Sequence, residues 1–524
     1  MSRLRRAFRW ASGVEPLDLV FVMSSVYALR ALLSSALLPL GAFDEGLLFA
    51  NAQMMADGRF PYRDFYSNYP PGIFQIVRMV MAFSASPIVA MRCIAFFVHL
   101  ATAVCCAVLV GHARRRAFCF ATFSCVAILQ ADTGLTPFAY TFAVLMFLCV
   151  LLCWPRAPED QLRTIFIGLV CGCLSYLRHD VFLYIFLPLS ALEAASWLIW
   201  KRSLLLYSAR QVMLFVGCTA VTVLVWWIPV FARAGIYHVT HDLYLDMGVV
   251  MAARVLPMPD LFAPMAVPAL SLELPGFLAD STRFGLVLGF AGVAVAIIAS
   301  ARQLLRNGCP TLRTRLMLVA AAAALATLPQ ALGRTDYYHV AFGVPLVVVA
   351  CFPVVPARVA QLISLLAIIP LFTQPRALAG VASMQAIWQA KDAMLIDRDK
   401  RALADFIVAQ TQPGEPIFSG CRSHRRAMMS VLDIHYIAHR PGATRYMQFD
   451  PGLVTSAEKQ SEMIADLERT RPRLVLRLLG CSWDEPNASM QEGASLLDEY
   501  LQVAYVPDQR MGMFEIWKRS EARK

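Results

Sequence analysis

Apolar runs of membrane-spanning length recur along this 524-residue chain, and they decide what it can fold into. In hydrocarbon a segment of about 20 apolar residues satisfies its own backbone only as a helix. Leu17–Leu40 is the first such run, and others follow at short intervals to about residue 375. The chain is 58% hydrophobic with a mean hydropathy of +0.57, more than a soluble globular domain uses. The expected fold class is therefore a polytopic α-helical membrane protein with about 11 transmembrane helices over residues 1–396, followed by a C-terminal soluble α/β domain over 397–524.

Charge sets the orientation. From Asp397 onward 18 basic and 18 acidic residues balance, so the net charge of +11 belongs to the apolar part, in short loops such as Arg114-Arg115-Arg116 and Lys201-Arg202. This is the positive-inside pattern rather than a nucleic-acid signal. Arg3, Arg5, Arg6 and Arg9 precede the first span, which puts the N-terminus in the cytoplasm. That span is too long for a signal-peptide core and is read as uncleaved. Threading onward places two long loops, about 41–72 and 233–282, and the tail on the outer side of a bacterial cytoplasmic membrane.

Twelve of the 14 cysteines precede residue 352, scattered through apolar runs, and read as small buried hydrophobes. Cys421 and Cys481 fall in the tail, where an outer location permits pairing. In the tail, helical patterns at Ala402–Ala409, Glu458–Arg469 and Ser489–Leu501 alternate with strand patterns at Pro416–Ser419, Arg473–Leu479, 502–506 and 512–517. This is the pattern of a small α/β sheet.

The most informative polar stretch is the first outer loop. It opens with adjacent carboxylates, Asp44 and Glu45. Phe43, Leu47, Ala50 and Met54 then lie at helical spacing up to a stop at Gly58, an amphipathic pattern. An extended aromatic and basic segment follows through Tyr69-Pro70-Pro71, suited to a membrane–water boundary. Asp44-Glu45-Gly46, then A-x-x-x-x-x-G-x-x-P-Y-x-D ending at Asp64, then Tyr69-Pro70-Pro71-Gly72, resembles the first outer loop of bacterial GT-C class glycosyltransferases, of the lipid-A galacturonosyltransferase, protein-mannosyltransferase and aminoarabinose-transferase type. The resemblance implies a GT-C-like fold, a polyprenyl-phosphate-sugar donor, Asp44 as the catalytic residue and inversion at the sugar carbon.

The residues themselves agree on the chemistry. Transfer of a sugar from phosphate to a hydroxyl needs a base for the hydroxyl proton and cations for the departing phosphate. Asp44 is the first carboxylate beyond the first span, and Glu45 is positioned to tune or orient; both also suit a helix N-terminus, a purely structural role. Arg59 and Arg63 are candidates for the donor phosphate or for anionic headgroups. Tyr62, Tyr66 and Tyr69 either line the substrate path or form an interfacial belt. Arg178-His179-Asp180 is either an internally paired cluster or a substrate site. Arg334, Asp336 and His339 match an R-x-D-x-x-H-like segment found late in these transferases, which implies phosphate or substrate contact. His238, His241 and Asp242 have i, i+3, i+4 spacing that could hold a metal, but no third His or Cys lies nearby in sequence, and they read as a solvated helix.

These residues predict a membrane glycosyltransferase, a hexosyl or pentosyl transferase, moving a sugar from a polyprenyl-phosphate donor to a hydroxyl of a lipid, glycan or protein. Its partners are donor, acceptor and membrane lipids, with no nucleic acid. No metal site or other cofactor is expected; the motif requires no divalent metal, although Asp44 and Glu45 could recruit one. The alternatives are a transporter or flippase of lipid-linked sugars, which would place charges at mid-membrane, and a non-catalytic subunit recognising envelope polymers.

Overall fold

The computed structural model describes residues 16–111, 117–201, 203–267, 272–307, 310–371, 384–426, 430–450, 452–480, 487 and 491–520. Cys481 lies outside them, and with it the pairing expected for Cys421. Among the described residues six helices are long and apolar enough to cross a membrane: Pro16–Leu37, Pro87–Gly111, His179–Leu198, Ala209–Ala234, Ser281–Arg306 and Leu312–Gly333. The other expected spans form shorter apolar helices, including Cys119–Gln130, Ala139–Leu152, Gln161–Leu177, Tyr337–Cys351 and Ala357–Pro370. The chain is a multi-pass membrane protein.

Close packing of two of these helices has a local cause. In Gly168-Leu169-Val170-Cys171-Gly172 the glycines face Ala209–Ala234. A Cβ on Gly168 would come 2.9 Å from the carbonyl oxygen of Phe215, and one on Gly172 would come 2.9 Å from that of Thr219. Thr219 donates its hydroxyl to the Gly168 carbonyl at 3.2 Å across the same seam. Lipid supplies no hydrophobic drive between spans, so small residues that admit a neighbouring backbone hold them together.

The C-terminal domain is built on a four-stranded mixed sheet in the order β3-β4-β6-β5, with β1 and β2 forming a separate hairpin in the second loop (Pro264–Val267 and Leu272–Pro275). β4 (Leu474–Leu478) runs parallel to β3 (Phe418–Cys421) and antiparallel to β6 (Phe514–Arg519), which pairs with β5 (Tyr505–Met511). β4 is central and covered on both faces, so it reads as an unbroken apolar run apart from Arg477, whose guanidinium lies over the Trp517 ring at 4.1 Å.

This domain sits on the first loop, and the sequence expectation for that loop changes accordingly. The helix Asp44–Ala56 is not amphipathic at an interface: ten of its 13 residues are buried. The backbone N–H groups of Leu432 and Asp433 donate to the Ala42 carbonyl at 2.9 and 3.3 Å. The aromatic segment is likewise covered rather than interfacial, with Tyr62, Phe65 and Tyr66 at 0, 1 and 2% exposure. Arg445 of the C-terminal domain fastens it. Its guanidinium donates to the Tyr62 carbonyl at 2.8 Å and to both oxygens of the fully buried Asp242 in the second loop at 2.7 and 2.8 Å. Tyr62 is held at φ 69°, a left-handed conformation costly for a bulky side chain, and this clasp together with its hydroxyl bond to the Tyr69 carbonyl at 2.8 Å maintains it.

Candidate active site

A cavity of about 460 Å³ opens at the loop end of the bundle, between the first and second loops. Each wall comes from the end of an element. Asp44 begins the first-loop helix, and Tyr69 precedes Gly72, where a Cβ would meet the Tyr176 carbonyl at 2.5 Å; this close approach sets Tyr69 beside Arg178. Arg178 is the one-residue break between the helices Gln161–Leu177 and His179–Trp200. In the second loop the π-helical turn His241–Asp246 leads into Met247–Ala253, which brings Met247, Met251 and Arg254 to the cavity. Such wide turns are frequent at functional sites. Arg334, Asp336 and His339 follow the end of Leu312–Gly333.

The cations are all held by carboxylates. Arg178 pairs with Asp180 at 2.8 Å and lies over the Tyr69 ring at 4.9 Å. Arg334 pairs with Asp336 at 2.7 Å, and Arg254 with Asp450 of the C-terminal domain at 3.2 Å. Asp336 also caps the helix Tyr337–Ala341 through the N–H of His339 at 3.0 Å and binds that residue's Nδ1 at 2.7 Å, leaving Nε2 for another partner. Burial pushes the Asp336 carboxyl up, but His339 and Arg334 prevail and hold it below the ordinary carboxylate range. Burial raises the Asp450 carboxyl despite Arg254.

Asp44 differs from these acids. It forms no hydrogen bond or ion pair through its side chain with any described residue, and it is open to the cavity while protein encloses its other sides. Burial pushes its carboxyl up to about 6; Arg254 and His339 pull against this, and Asp450 and Asp336 add to it. An unpaired carboxylate of raised basicity facing three arginines has the make-up of a general base beside an anion site. A base must be ionised to act, so kcat/KM for the transfer proposed below should fall on the acid side with a one-proton limb centred near pH 6. A pH–rate profile that stays flat through that region would remove Asp44 as the base.

The structure thus brings six sequence candidates to one cavity: Asp44, Tyr69, Arg178, Arg334, Asp336 and His339. Asp180 stands behind Arg178, and His179 packs edge-on against Tyr244 with ring centroids 5.3 Å apart. Glu45 turns away into a buried pair with Arg92, accepting from Nε at 2.8 Å and Nη2 at 2.6 Å. Arg63 pairs with Asp64 in solvent, and Arg59 lies outside the cavity lining. Tyr66 packs beneath the C-terminal domain against Tyr446 at 5.5 Å, and Tyr62 is buried against Trp227, Val230 and Leu243 of the Ala209–Ala234 helix and the second loop.

Sequence reasoning missed Arg254 and Asp450. Arg254 had a signal, as a basic residue stranded in a loop on the side where the orientation rule expects few. Asp450 had none, because only tertiary docking brings the tail to the cavity. His241, Asp242 and Asp246 also converge, with potential ligand atoms within 4.8 Å of one another, while His238 stays exposed. Arg445 takes both oxygens of Asp242, and Asp246 faces His241 at 3.2 Å and Lys459 at 3.8 Å. These cations already balance the donor set, so it fits a metal ion poorly.

No protein-family model matches the chain, and no curated protein matches it in sequence. Among solved structures it is similar to the apo oligosaccharyltransferase of Archaeoglobus fulgidus, with a TM-score of 0.46 at 12% identity over 88% of this chain and 69% of that one. It is also similar to ArnT from Cupriavidus metallidurans in the apo state, with a TM-score of 0.45 at 13% identity over 98% of both chains. For the same ArnT bound to undecaprenyl phosphate the TM-score is 0.44 at 14% identity, over 96% of this chain and 98% of that one. Likeness at this level does not decide a reaction.

Proposed function

We propose that this chain is a GT-C-like membrane glycosyltransferase that moves a sugar, a hexosyl or pentosyl unit, from a polyprenyl-phosphate donor to a hydroxyl of a lipid, glycan or protein acceptor. The observation that carries this reading is the unpaired Asp44 carboxylate opposite Arg178, Arg254 and Arg334 in one cavity. In the reaction Asp44 takes the acceptor hydroxyl proton as the acceptor oxygen bonds to the anomeric carbon. The bond from that carbon to the phosphate oxygen breaks, and polyprenyl phosphate leaves with the electron pair. The arginines, held in place by Asp180, Asp450 and Asp336, receive the charge that develops on the departing phosphate, the stage at which fixed cations lower a barrier most. Displacement from the face opposite the phosphate inverts the sugar carbon. Tyr69, half-buried beside Arg178, lines the cavity where the sugar would sit.

The proposed setting is the outer face of a bacterial cytoplasmic membrane, with the C-terminal domain covering the first loop. The test is transfer of labelled sugar from synthetic undecaprenyl-phosphate sugars to an envelope lipid and glycan extract by the purified protein. Failure across hexose, pentose and uronic acid donors, with the protein folded, would refute the reading. Because three arginines stand where a phosphate would be neutralised, transfer is proposed to need no divalent ion. EDTA should change the rate by less than about twofold, whereas a large loss restored by Mg²⁺ would assign an ion to the site.

A further inference from the structure

A second basic cluster lies outside the cavity, around the outer ends of the helices Gly72–Phe83, Gln161–Leu177 and Ala209–Ala234. Arg233, in the last turn of Ala209–Ala234, stacks over the Phe60 ring at 5.5 Å, and Arg59 is the neighbour of Phe60 in the chain. Arg78 and Arg233 both lie within electrostatic reach of the Tyr176 hydroxyl, which is hydrogen-bonded to Gln75. Arg78 and Arg233 are exposed and Arg59 is half-buried. None of the three forms an ion pair among the described residues; Arg59 lies within electrostatic reach of Asp64, which Arg63 already holds at 2.7 Å.

Apolar side chains open to the bilayer flank the cluster. Met79 and Phe83 are 59 and 88% exposed on one side, and Val225 and Ile228 are 62 and 57% exposed on the other. Tyr176 stacks on Trp226 at 4.7 Å at the junction, the kind of amphipathic aromatic pair that sits at headgroup depth. Exposed guanidinium groups that form no ion pair among the described residues, Arg78 and Arg233 above all, beside lipid-facing apolar surface call for a ligand that carries both an anion and acyl chains.

We propose that Arg59, Arg78 and Arg233 form a binding site for the phosphate of an anionic glycerophospholipid in the leaflet on the cavity side, with its acyl chains along the exposed faces of Gly72–Phe83 and Ala209–Ala234. Arginine suits this role through its planar fork of donors. The bound lipid anchors the end of Gln161–Leu177 two residues before Arg178, so it steadies one wall of the cavity. The proposal concerns binding alone and does not depend on chemistry at Asp44.

Native mass spectrometry of the purified full-length protein tests it, with dioleoyl phosphatidylglycerol and dioleoyl phosphatidylcholine as probes. Wild type should retain phosphatidylglycerol in preference to phosphatidylcholine. Arg78→Gln and Arg233→Gln should each weaken retention about fivefold, and the triple variant with Arg59→Gln on the order of a hundredfold, given the usual contribution of one basic residue at an anionic membrane surface. Arg471→Gln, an exposed arginine on the C-terminal domain, should change nothing. Equal retention by wild type and the two single variants, or equal retention of both lipids, would overturn the proposal. Displacement of the lipid by millimolar inorganic phosphate would show a free-anion site and overturn it as well.

Discussion

Asp44→Asn is expected to lower sugar transfer by about three orders of magnitude while expression and thermal stability hold. The amide keeps the shape and sits in the first turn of a helix that ten buried residues secure, so the fold has little reason to respond. The linkage sign points the same way. The folded-state pKa of about 6 lies above the ordinary 3.8, so the folded protein binds the proton more tightly and the ionised carboxylate is a cost to folding at higher pH. Removing that charge should leave the melting temperature at pH 8 unchanged or slightly raised. Acceptor binding should survive, so the loss belongs in kcat. Transfer by Asp44→Asn at near wild-type rate would move the base elsewhere, and His339, whose Nε2 has no partner among the described residues, would be the next residue to replace.

Glu45→Ala should do the opposite, destabilising the protein by about 3–5 kcal/mol, as expected when one partner of a buried pair is removed. The side chains of Glu45 and Arg92 are each only 4% exposed. Arg92 also donates to the carbonyls of Ala36, Leu38 and Pro39, and Glu45 accepts the Gly41 N–H at 3.0 Å, so the pair locks the turn that delivers Asp44 to the cavity. Without Glu45 the guanidinium charge is left buried against carbonyls alone. Thermal unfolding in detergent measures the loss, and the rate per folded molecule separates the two roles. A Glu45→Ala protein that melts like wild type but transfers nothing would return Glu45 to the chemistry. The double change Glu45→Leu with Arg92→Leu should recover only part of the lost stability, because it removes both buried charges but leaves the Ala36, Leu38 and Pro39 carbonyls and the Gly41 N–H without these partners.

These adjacent carboxylates show how far the sequence could be read. Their position after the first apolar run marked the loop as special, yet nothing in the order Asp44-Glu45 says which one faces the cavity. Successive residues on a helix point about 100° apart, so one reaches substrate space while the other reaches Arg92 on a span 47 residues away in sequence. The tyrosines divide in the same way. Tyr62, Tyr66 and Tyr69 look alike in sequence, but Arg445 holds the backbone of the first two, the Tyr62 ring packs against Trp227 and Leu243, the Tyr66 ring lies beneath the C-terminal domain, and only Tyr69 is left on the cavity wall.

Hydropathy and charge by themselves determined that the chain crosses a membrane repeatedly, where its long loops lie along the chain, and that an α/β domain closes it, because these properties depend on local composition and period. They also marked Asp44, Arg178, Arg334, Asp336 and His339, since ionisable groups at the ends of spans are conspicuous against apolar surroundings. Only the tertiary structure decided the inclusion of Arg254 and Asp450, the removal of Glu45 to a structural pair and the burial of the first loop. Each of these depends on a contact between segments distant in sequence, and no local pattern encodes which buried charge will meet which partner.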